Sequence, residues 1–488
     1  MFKLKKLLSA EQIRASDQYT IENKHISSID LMEKAALAFV REMLNFISLD
    51  VNVLIVCGTG NNGGDGLAIA RILRSKEFNV DVYIVPHNSG STDFEVNKNK
   101  LREWNIWDSD VDLSKYDIIV DALLGTGITR PAKGVFAEII TSINTCNADI
   151  WSVDIPSGIH SDHMNINGPV VKADHVISFQ RPKRVFFIPE ADPFIKEWTV
   201  VDIELDEQYM SSLSNKSFIL DDQISLLLKE RRRFSHKGTY GHAAIIAGSK
   251  GKMGAAILAT KACLRSGAGL VTGIVPNLGF DILQILIPEA MCIAQESLIE
   301  NVDLIKNFTC IGIGPGLGVG QVSKDILEEI FSLDIDIPLI LDADALNILS
   351  SHPEMMDKLP NNSILTPHPK EFSRLVGNFN SFEERLNKQL VFSKKYKVVM
   401  VVKDAHTIIT DPNGNTYFNT SGNAGMATGG SGDVLLGIIT GLRAQGYSAI
   451  ESSLLGVYYH GIAGDEATLE KGQMAMIASD IVDNLNWI

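Results

Sequence analysis

The chain has few of the features that would place it in a membrane, outside the cell or on a nucleic acid. No apolar run approaches the roughly 18 residues of a membrane-spanning helix, and the basic residues near the start precede no apolar stretch of an export signal. Cysteine is scarce, with 5 in 488 residues and no Cys-x-x-Cys pair, so neither a disulfide framework nor a zinc site is indicated. The formal net charge of −15 argues against non-specific nucleic-acid binding. We therefore expect a cytoplasmic globular protein, with no membrane or nucleic-acid partner, that binds any anionic ligand locally through loops and helix N-termini.

What the sequence does contain is two successive α/β patterns, in a chain that is too long for one ordinary core. Between residues 51 and about 203, short β-branched runs alternate with helical stretches, which predicts a parallel sheet covered by helices on both faces. Polar, serine-rich residues 206–217 are predicted as a linker, and a second, different α/β series starts at Tyr240. We predict an α/β protein with two domains: a Rossmann-like doubly wound sheet at residues 1–213 and a second α/β domain at residues 218–488.

The most informative segment of the first domain is a strand-like run, residues 53–56, followed by a glycine-rich loop. The spacing Gly58-x-Gly60-x-x-Gly63 formally matches the dinucleotide fingerprint of dehydrogenases. A dehydrogenase would have an acidic residue at the end of the next strand, whereas here Asp81 lies at the start of that strand. Hydride transfer is therefore disfavoured, and we interpret the segment as a loop that binds an anionic ligand.

Two later strands of the first domain also end in polar clusters. Asp121 closes a predicted strand before the segment 125–131, and Asp154 closes the next one, shortly before Ser157. Ligands of doubly wound sheets bind at the carboxyl ends of the strands, so three polar strand ends predict one shared crevice. Taken singly, each cluster is also what an ordinary turn would look like.

Together, the strings NNGGDG, GTGITR and VDIPSG resemble the N-terminal domain of the bifunctional NAD(P)H-hydrate repair enzymes, over roughly residues 5–210. The resemblance implies an epimerase that interconverts the two C6 epimers of hydrated NADH and NADPH. It implies a potassium ion on the oxygen ligands of Asn62, Asp121 and Ser157. It places the substrate on Asn61, Asn62, Gly63, Gly64, Asp65, Gly125, Thr126, Gly127, Ile128, Thr129, Arg130, Pro131 and Asp154.

Asp154 is the candidate catalytic residue of this domain. Epimerising a carbinolamine carbon requires loss and return of its hydroxyl, so a group beside the nicotinamide must deliver and retrieve protons. The competing interpretation is a strand-end carboxylate that caps the turn before Pro156. A non-enzymatic alternative, in which the domain senses nucleotides or binds a partner, is opposed by the intact set of Asn62, Asp121, Asp154 and Ser157.

The richest signal of the second domain is the segment 428–437, in which glycines open an apolar helix. Free N–H groups and the positive end of the helix dipole would face a phosphate there. Asp433, on the first turn, is placed to act as a base toward the group being phosphorylated or eliminated, but it would also serve as a helix N-cap. The Gly-x-Gly-Asp pattern at a late helix start is typical of the ribokinase-like fold, and the segments 342–346 and 366–371 occupy the right order upstream.

Two functions share that fold: a small-molecule kinase for a vitamin precursor, here with an N-terminal nucleotide-binding module, and an ADP-dependent NAD(P)H-hydrate dehydratase. From about residue 225 onward, the strings HKGTYG, GIGPGLG and TPHPKEF resemble the dehydratase. The resemblance implies ADP as phosphoryl donor with magnesium. It places the nucleotide on Lys403, Asp404, Ala405, His406, Thr407 and Gly432, and the hydrate on Ala255, Gly316, Gly318, His368 and Asp433.

Two residues of this second site remain open at the level of sequence. Asp404 stands where the family pattern Lys-Gly-x-x-Thr has a permissive glycine, which affects the expected conformation of the nucleotide loop. His368 is either a hydrate contact or a satisfied loop histidine.

In the second site, hydroxide is a poor leaving group from C6 and must be activated. Phosphorylation turns the C6 hydroxyl into phosphate, whose departure restores the dihydropyridine, with release of AMP and phosphate. We expect a homo-oligomeric metabolite repair enzyme acting on NADHX, NADPHX and ADP.

Overall fold

The computed structural model describes residues 4–86, 90–101, 106–107, 111–164, 167–333 and 337–487, which form two compact units. One unit extends from Lys6 to Asn215, and the other comprises the residues from Lys216 onward together with Leu4 and Lys5. Among the described residues, none of the helices combines the length and hydropathy needed to cross a bilayer.

The first unit contains a seven-stranded sheet in the order β3-β2-β1-β4-β5-β6-β7. Its strands are β1 Asn52–Cys57, β2 Asn79–Ile84, β3 Ile106–Trp107, β4 Ile118–Ala122, β5 Asp149–Val153, β6 Ala173–Phe179 and β7 Ile195–Val201. All neighbouring strands pair in parallel. The central strands are buried on both faces, as expected of a parallel sheet between helical layers. The predicted doubly wound sheet is confirmed, and the strand order reverses between β1 and β4.

The described residues of this unit form six α-helices, most of which begin at a residue that caps the helix. They are α1 Ala10–Lys24, α2 Ser28–Met43, α3 Asn61–Ser75, α4 Thr92–Asn99, α5 Val135–Ile143 and α6 Glu207–Ser212. Ser9 and Gln12 form a capping box at the start of α1, and Ser27 and Asp30 form another at the start of α2. Helix α2 turns an apolar face, including the fully buried Phe39, toward the core.

Residues 206–215 of the segment predicted as a linker belong to the first unit, whereas Lys216 and Ser217 belong to the second. Asp206 caps α6, Met210 is buried in the core, and Tyr209 stacks on Tyr19 of α1 with ring centroids 4.0 Å apart. The side-chain amide of Asn215 donates to the Leu7 carbonyl at 2.7 Å. The predicted linker contains the boundary between the units, at Asn215–Lys216, but residues 206–215 are folded onto the first unit because Met210 is buried and Asn215 binds backbone.

The second unit contains a ten-stranded sheet in the order β11-β10-β9-β12-β13-β14-β15-β16-β17-β8. Its strands are β8 Ser217–Leu220, β9 His242–Ile246, β10 Leu270–Val275, β11 Met291–Ala294, β12 Cys310–Ile313, β13 Leu339–Leu341, β14 Ile364–Leu365, β15 Val399–Val402, β16 Ile408–Thr410 and β17 Thr416–Asn419. Only the β15–β16 and β16–β17 pairs among the described strands are antiparallel. At the β8 end, Ile219 N–H donates to the Lys5 carbonyl at 2.9 Å, Lys5 pairs with Asp221 at 2.8 Å, and Leu4 packs into the core.

Helices lie on both faces of this second sheet, over two apolar clusters. They are α7 Met253–Arg265, α8 Phe280–Leu286, α9 Gln295–Glu300, α10 Gln321–Ser332, α11 Ala343–Ser351, α12 Pro369–Val376, α13 Phe382–Tyr396, α14 Ser431–Ala444, α15 Ala449–Lys471 and α16 Ala478–Asp483. Helix α14 is apolar and buried along most of its length, which places its polar N-terminal turn at the end of a rigid central element.

Candidate active sites

A cavity of about 970 Å³ lies at the carboxyl ends of the first sheet. Strands β1, β4 and β5 are neighbours, so the three polar strand ends singled out in the sequence open into one crevice. The predicted residues that line it are Asn61, Asn62, Asp65, Gly125, Thr126, Gly127, Ile128, Thr129, Arg130, Pro131 and Asp154. Gly63 and Gly64 are instead buried within the first turns of α3.

The glycine loop brings bare backbone to the cavity wall. A Cβ at Gly58 would lie 2.0 Å from the carbonyl oxygen of Leu123, so only glycine permits this approach of β1 to the segment after β4. Helix α3 begins after Gly60, which offers no side-chain cap to the first N–H groups of the helix. These N–H groups are available to an anionic ligand at the positive end of a 15-residue helix.

Asp121 is a fully buried carboxylate, and its hydrogen-bond donors among the described residues are all neutral. Its oxygens accept hydrogen bonds from the Ser157 amide and the Ser152 hydroxyl, both at 2.8 Å, from the Ser157 hydroxyl, and from Leu123 N–H at 3.3 Å. Burial raises the pKa of Asp121 despite these donors. Within the described parts of the chain, no cationic side chain forms an ion pair with it.

Asn62 supplies an unpaired oxygen to the same region. Its Nδ2 donates to the Val153 carbonyl at 2.8 Å, while its buried Oδ1 accepts no hydrogen bond from any described residue. A Cβ at Gly125 would lie 3.0 Å from the Asn62 Cβ, so the loop after β4 closes over this side chain. An orphaned amide oxygen and a buried carboxylate without a counter-ion are the donor set that a hard cation prefers.

Asp154 projects from the end of β5 with its backbone in the left-handed region, at φ 67°. Its Oδ1 receives the Lys183 ammonium at 2.6 Å, Phe179 N–H at 2.9 Å and the Ser178 hydroxyl at 3.2 Å. Lys183 is itself buried, with 3% of its side chain exposed. The partners of the carboxylate thus come from the end of β6 and from Lys183, and not from the turn before Pro156.

Three charged residues of this cavity were not among the predicted site residues. Asp17 and Arg14 of α1 line it, as does Lys183. Burial first, and then the neighbouring Asp154, raise the pKa of Asp17 to about 7, against the opposing charges of Lys183 and Arg14. Asp17 lies in an amphipathic helix, where a polar residue is normally assigned to solvent, and Lys183 lies beyond all the motifs. Only the tertiary fold brings them to the glycine loop.

In the second unit, the first turn of α14 presents Asp433. The N-cap of this helix is Gly430, at φ 95° and without a side-chain cap, so the interpretation of Asp433 as the N-cap is wrong. His460 of α15 fixes the turn, because its Nε2 contacts the Ser431 carbonyl at 3.0 Å. Burial lowers the pKa of His460 to about 4, which keeps the ring neutral at physiological pH.

The surroundings of Asp433 are acidic, with one balancing lysine. Burial and then Asp342 raise the pKa of Asp433 to about 6, and Lys403 opposes the shift. Asp342 is fully buried at the end of β13, and Lys403 Nζ lies 2.7 Å from its Oδ1. A Cβ at Gly432 would lie 3.1 Å from Lys403 Nζ. In the structure, the predicted residues Asp433, Gly432 and Lys403 therefore lie in one site. Asp342, which the sequence placed only in an upstream motif, lies in the same site.

The predicted hydrate contacts on two other loops also meet. A Cβ at Gly316, where φ is 59°, would lie 2.9 Å from the Lys252 carbonyl and 3.1 Å from the Ala255 Cβ. The Gly318 N–H donates to Asp344 Oδ2 at 2.7 Å. Ala255 and the loop that contains Gly316 and Gly318 therefore form one continuous surface.

His368 is the N-cap of α12. Its Nδ1 accepts from the N–H groups of Lys370 at 3.1 Å and Glu371 at 3.4 Å, and Glu371 Oε2 accepts from His368 N–H at 2.9 Å. These bonds place the ring proton on Nε2, and burial lowers the pKa of the imidazole. His368 thus fills a structural cap and still presents an Nε2–H donor, which lies 3.6 Å from Glu371 Oε1.

In the predicted nucleotide loop, residues 403–407, an ion pair stabilises Asp404, which stands where the family pattern has glycine. Asp404 Oδ2 lies 2.6 Å from Nη1 of Arg385, a nearly buried residue of α13, and Asp404 Oδ1 accepts Ala405 N–H at 3.0 Å. His406 Nδ1 contacts the Asn419 carbonyl at 3.1 Å, and Thr407 Oγ1 donates to the Asp404 carbonyl at 3.5 Å. The loop is therefore fixed by side-chain contacts where the family pattern relies on glycine.

Comparison with known proteins gives matches for both units. Residues 243–486 match the family described as NAD(P)H-hydrate dehydratase, and residues 28–185 match the one described as YjeF-related protein N-terminus. The bifunctional NAD(P)H-hydrate repair enzyme Nnr of Moorella thermoacetica is 33% identical, over 99% of this chain and 96% of the relative. The enzyme of the same name from Escherichia coli is 31% identical, over 98% and 93%. A ribokinase-like superfamily protein from Enterococcus faecalis is 31% identical, with a TM-score of 0.51, and the match covers 56% of this chain and 95% of that structure. The predicted ribokinase-like fold is confirmed.

Proposed function

Since the chain belongs to the family of bifunctional NAD(P)H-hydrate repair enzymes, we propose that its first unit epimerises hydrated NADH and NADPH and that its second unit dehydrates the S epimer at the expense of ADP. One observation supports both activities: in each unit an acidic residue lies at a helix N-terminus that has no side-chain cap. Asp154 lies beside the start of α3, and Asp433 lies on the first turn of α14. A vitamin-precursor kinase would leave the first unit and the full-length relatives unexplained.

In the epimerase site, Asp154 acts as the base. Its carboxylate is held by Lys183 and by two donors from the end of β6, all on Oδ1. This arrangement fixes the side chain at the cavity wall, where it accepts a proton from the water that returns to C6. The glycine loop and the start of α3 orient the phosphates of the dinucleotide.

Potassium fits the residues beneath the epimerase cavity. Asn62 Oδ1, the Asp121 carboxylate and the Ser157 hydroxyl would hold it, because the first is unpaired and the second is buried without a counter-ion in the described residues. The bound ion would supply the positive charge that Asp121 lacks and would order the loops that carry these ligands.

In the dehydratase site, Asp433 takes the proton of the C6 hydroxyl as that oxygen accepts the terminal phosphoryl group of ADP, and AMP leaves. The N–H groups at the start of α14 face the transferring phosphate. The N1 lone pair then forms a C6=N1 bond as the C6–O bond breaks and its electrons leave on phosphate. Water takes the C5 proton, and the C5–H electrons form the C5=C6 bond of the dihydropyridine. Among the described residues, no group of three or more histidine, cysteine, aspartate or glutamate side chains is placed to hold a metal ion, and we propose that magnesium arrives on the ADP phosphates.

We further propose a homo-oligomer that works in the cytoplasm. Apolar side chains on α8, among them Ile285 and Leu286, are exposed, and Met291 of the neighbouring strand β11 is 42% exposed. Apolar exposure of this kind favours association with another copy. The mass in solution, measured by light scattering, tests this proposal.

The test of the function follows both reactions on a mixture of R and S hydrates. Without nucleotide, the full-length protein should exchange the epimers faster than they exchange spontaneously, as resolved by chromatography. With ADP, absorbance at 340 nm should return for the whole mixture, with one AMP and one phosphate released per NADH. Parallel reactions with ATP identify the preferred donor. A phosphorylated alcohol without recovery at 340 nm would instead show a kinase.

A further inference from the structure

A third carboxyl group, besides those of Asp154 and Asp65, enters the epimerase cavity from helix α1. Asp17 of α1 lines the cavity together with Asp154, Asp65 and Lys183. We infer that Asp17 is a second catalytic residue of the epimerase, the acid that protonates the C6 hydroxyl while Asp154 serves as base. The inference rests on the proposed function of the first unit and adds a residue to it.

Helix α1 holds Asp17 in place, and none of the residues that the structure describes binds its carboxyl group. Helix α1 is fixed by the capping box at Ser9, by Asp162, which accepts Ala10 N–H at 3.2 Å, and by Thr20, whose hydroxyl accepts Asp206 N–H at 3.0 Å. In contrast, within the described residues the Asp17 carboxyl forms neither a hydrogen bond nor an ion pair. A largely buried carboxyl that stabilises no neighbouring group, on a rigid element facing a cavity, is placed for a ligand.

The two carboxyl groups have opposite surroundings. Oδ1 of Asp154 faces Lys183 and two further donors, which stabilise the carboxylate anion. The charged and titratable groups that act on Asp17 are Asp154, Lys183, Arg14 and Asp65. Burial and Asp154 raise the pKa of Asp17 to about 7, so a large share of its carboxyl groups carries a proton near neutrality. One carboxyl group paired with a buried lysine beside another without a partner in the described residues is the arrangement of a base and an acid.

The reaction balances with these two groups. Asp17 gives its proton to the C6 hydroxyl, the C6–O bond breaks with its electrons on oxygen, water leaves, and the lone pair of N1 forms the C6=N1 iminium. Water then adds to the other face of C6, the iminium electrons return to N1, and Asp154 takes the proton that this water loses. The pair ends with its proton on Asp154, which is the state that catalyses the reverse direction, as a reversible epimerisation requires.

The experiment compares full-length Asp17→Asn with wild type, with Asp17→Glu, and with Glu22→Gln, which alters an exposed carboxylate on the same helix. Exchange between the epimers is measured without nucleotide from pH 5.5 to 9. We expect a loss of about a hundredfold for Asp17→Asn at unchanged KM, partial activity for Asp17→Glu and no change for Glu22→Gln. In wild type the rate should fall as pH rises through about 7, and Asp17→Asn should lack that decline.

The outcomes distinguish failure of this inference from failure of the proposed epimerase function. If wild type fails to accelerate exchange, the epimerase function itself is wrong. If wild type exchanges the epimers while Asp17→Asn keeps both the rate and the decline above pH 7, Asp17 is not the acid. A slower Asp17→Asn that retains the wild-type pH profile, with a raised KM or a lower melting temperature, would also overturn the inference, because it would indicate a structural role.

Discussion

Replacing Asp433 with asparagine should abolish dehydration and leave the fold intact. The two side chains have nearly the same size, and the change removes a negative charge that the buried Asp342 disfavours, so stability should not fall. A positioned acid–base group contributes roughly a hundredfold to ten-thousandfold to a rate. We therefore expect a loss of at least about a hundredfold, or about 2.7 kcal/mol of transition-state stabilisation.

The pH dependence of the same reaction has a definite sign. Because burial and Asp342 raise the pKa of Asp433 to about 6, the basic form is lost as pH falls through that value. The wild-type rate should rise between pH 5 and 7 and then level off, whereas the residual rate of Asp433→Asn should lack this step. Recovery of absorbance at 340 nm from the purified S epimer with ADP measures both rates.

Two controls bound the interpretation of this variant. Asp357→Asn, which neutralises an exposed carboxylate in the same unit, should match wild type in rate and pH profile. Exchange of the epimers, a property of the other unit, should continue in Asp433→Asn. Clearance of the S epimer by Asp433→Asn at near the wild-type rate would refute the assignment of Asp433 as base.

Three further changes test other parts of the two sites. Gly316→Ala forces a Cβ to within 2.9 Å of the Lys252 carbonyl at a positive φ. Urea unfolding should therefore show that the free energy of unfolding falls by about 1 to 2 kcal/mol, and the KM for the S hydrate should rise. Unchanged values would show that the loop is not rigid. Arg385→Met leaves Asp404 without its ion-pair partner, so calorimetry should show weaker ADP binding. The double variant with Asp404→Gly should bind ADP as wild type does. If the double variant also binds weakly, Arg385 does not compensate for Asp404. Asp121→Asn should remove any rise in melting temperature that potassium chloride gives over sodium chloride, and a persisting rise would place the ion elsewhere.

Much of the fold and many site positions could be predicted from local patterns. Short β-branched runs in alternation with helices predict parallel strands, and each polar residue at a strand end lies at the carboxyl edge of the sheet. This logic placed Asp154 and the loop after β4 in the cavity and Asp433 on the first turn of α14. Such predictions succeed because strand direction alone determines on which edge these residues lie.

The remaining features depend on contacts between distant segments. Asp17 and Lys183 reach the cavity only because α1 and the turn after β6 pack over it. Asp404 is separated by 19 residues from the Arg385 that pairs with it, and neither residue alone signals the other. In the predicted linker, one buried Met210 on a six-residue helix is too weak a pattern to separate from a polar loop.

The N-terminal residues beside β8 bear on how the protein could be dissected. The chain passes between its two units at Lys5–Lys6 and again at Asn215–Lys216, so the first unit is an insertion near one end of the second. A fragment that starts at residue 218 loses the Lys5 carbonyl that satisfies Ile219 N–H, as well as the apolar side chain of Leu4. Strand β8 would then present an uncovered sheet edge, which is a template for aggregation. Point variants of the full-length chain are therefore the sounder way to separate the two activities.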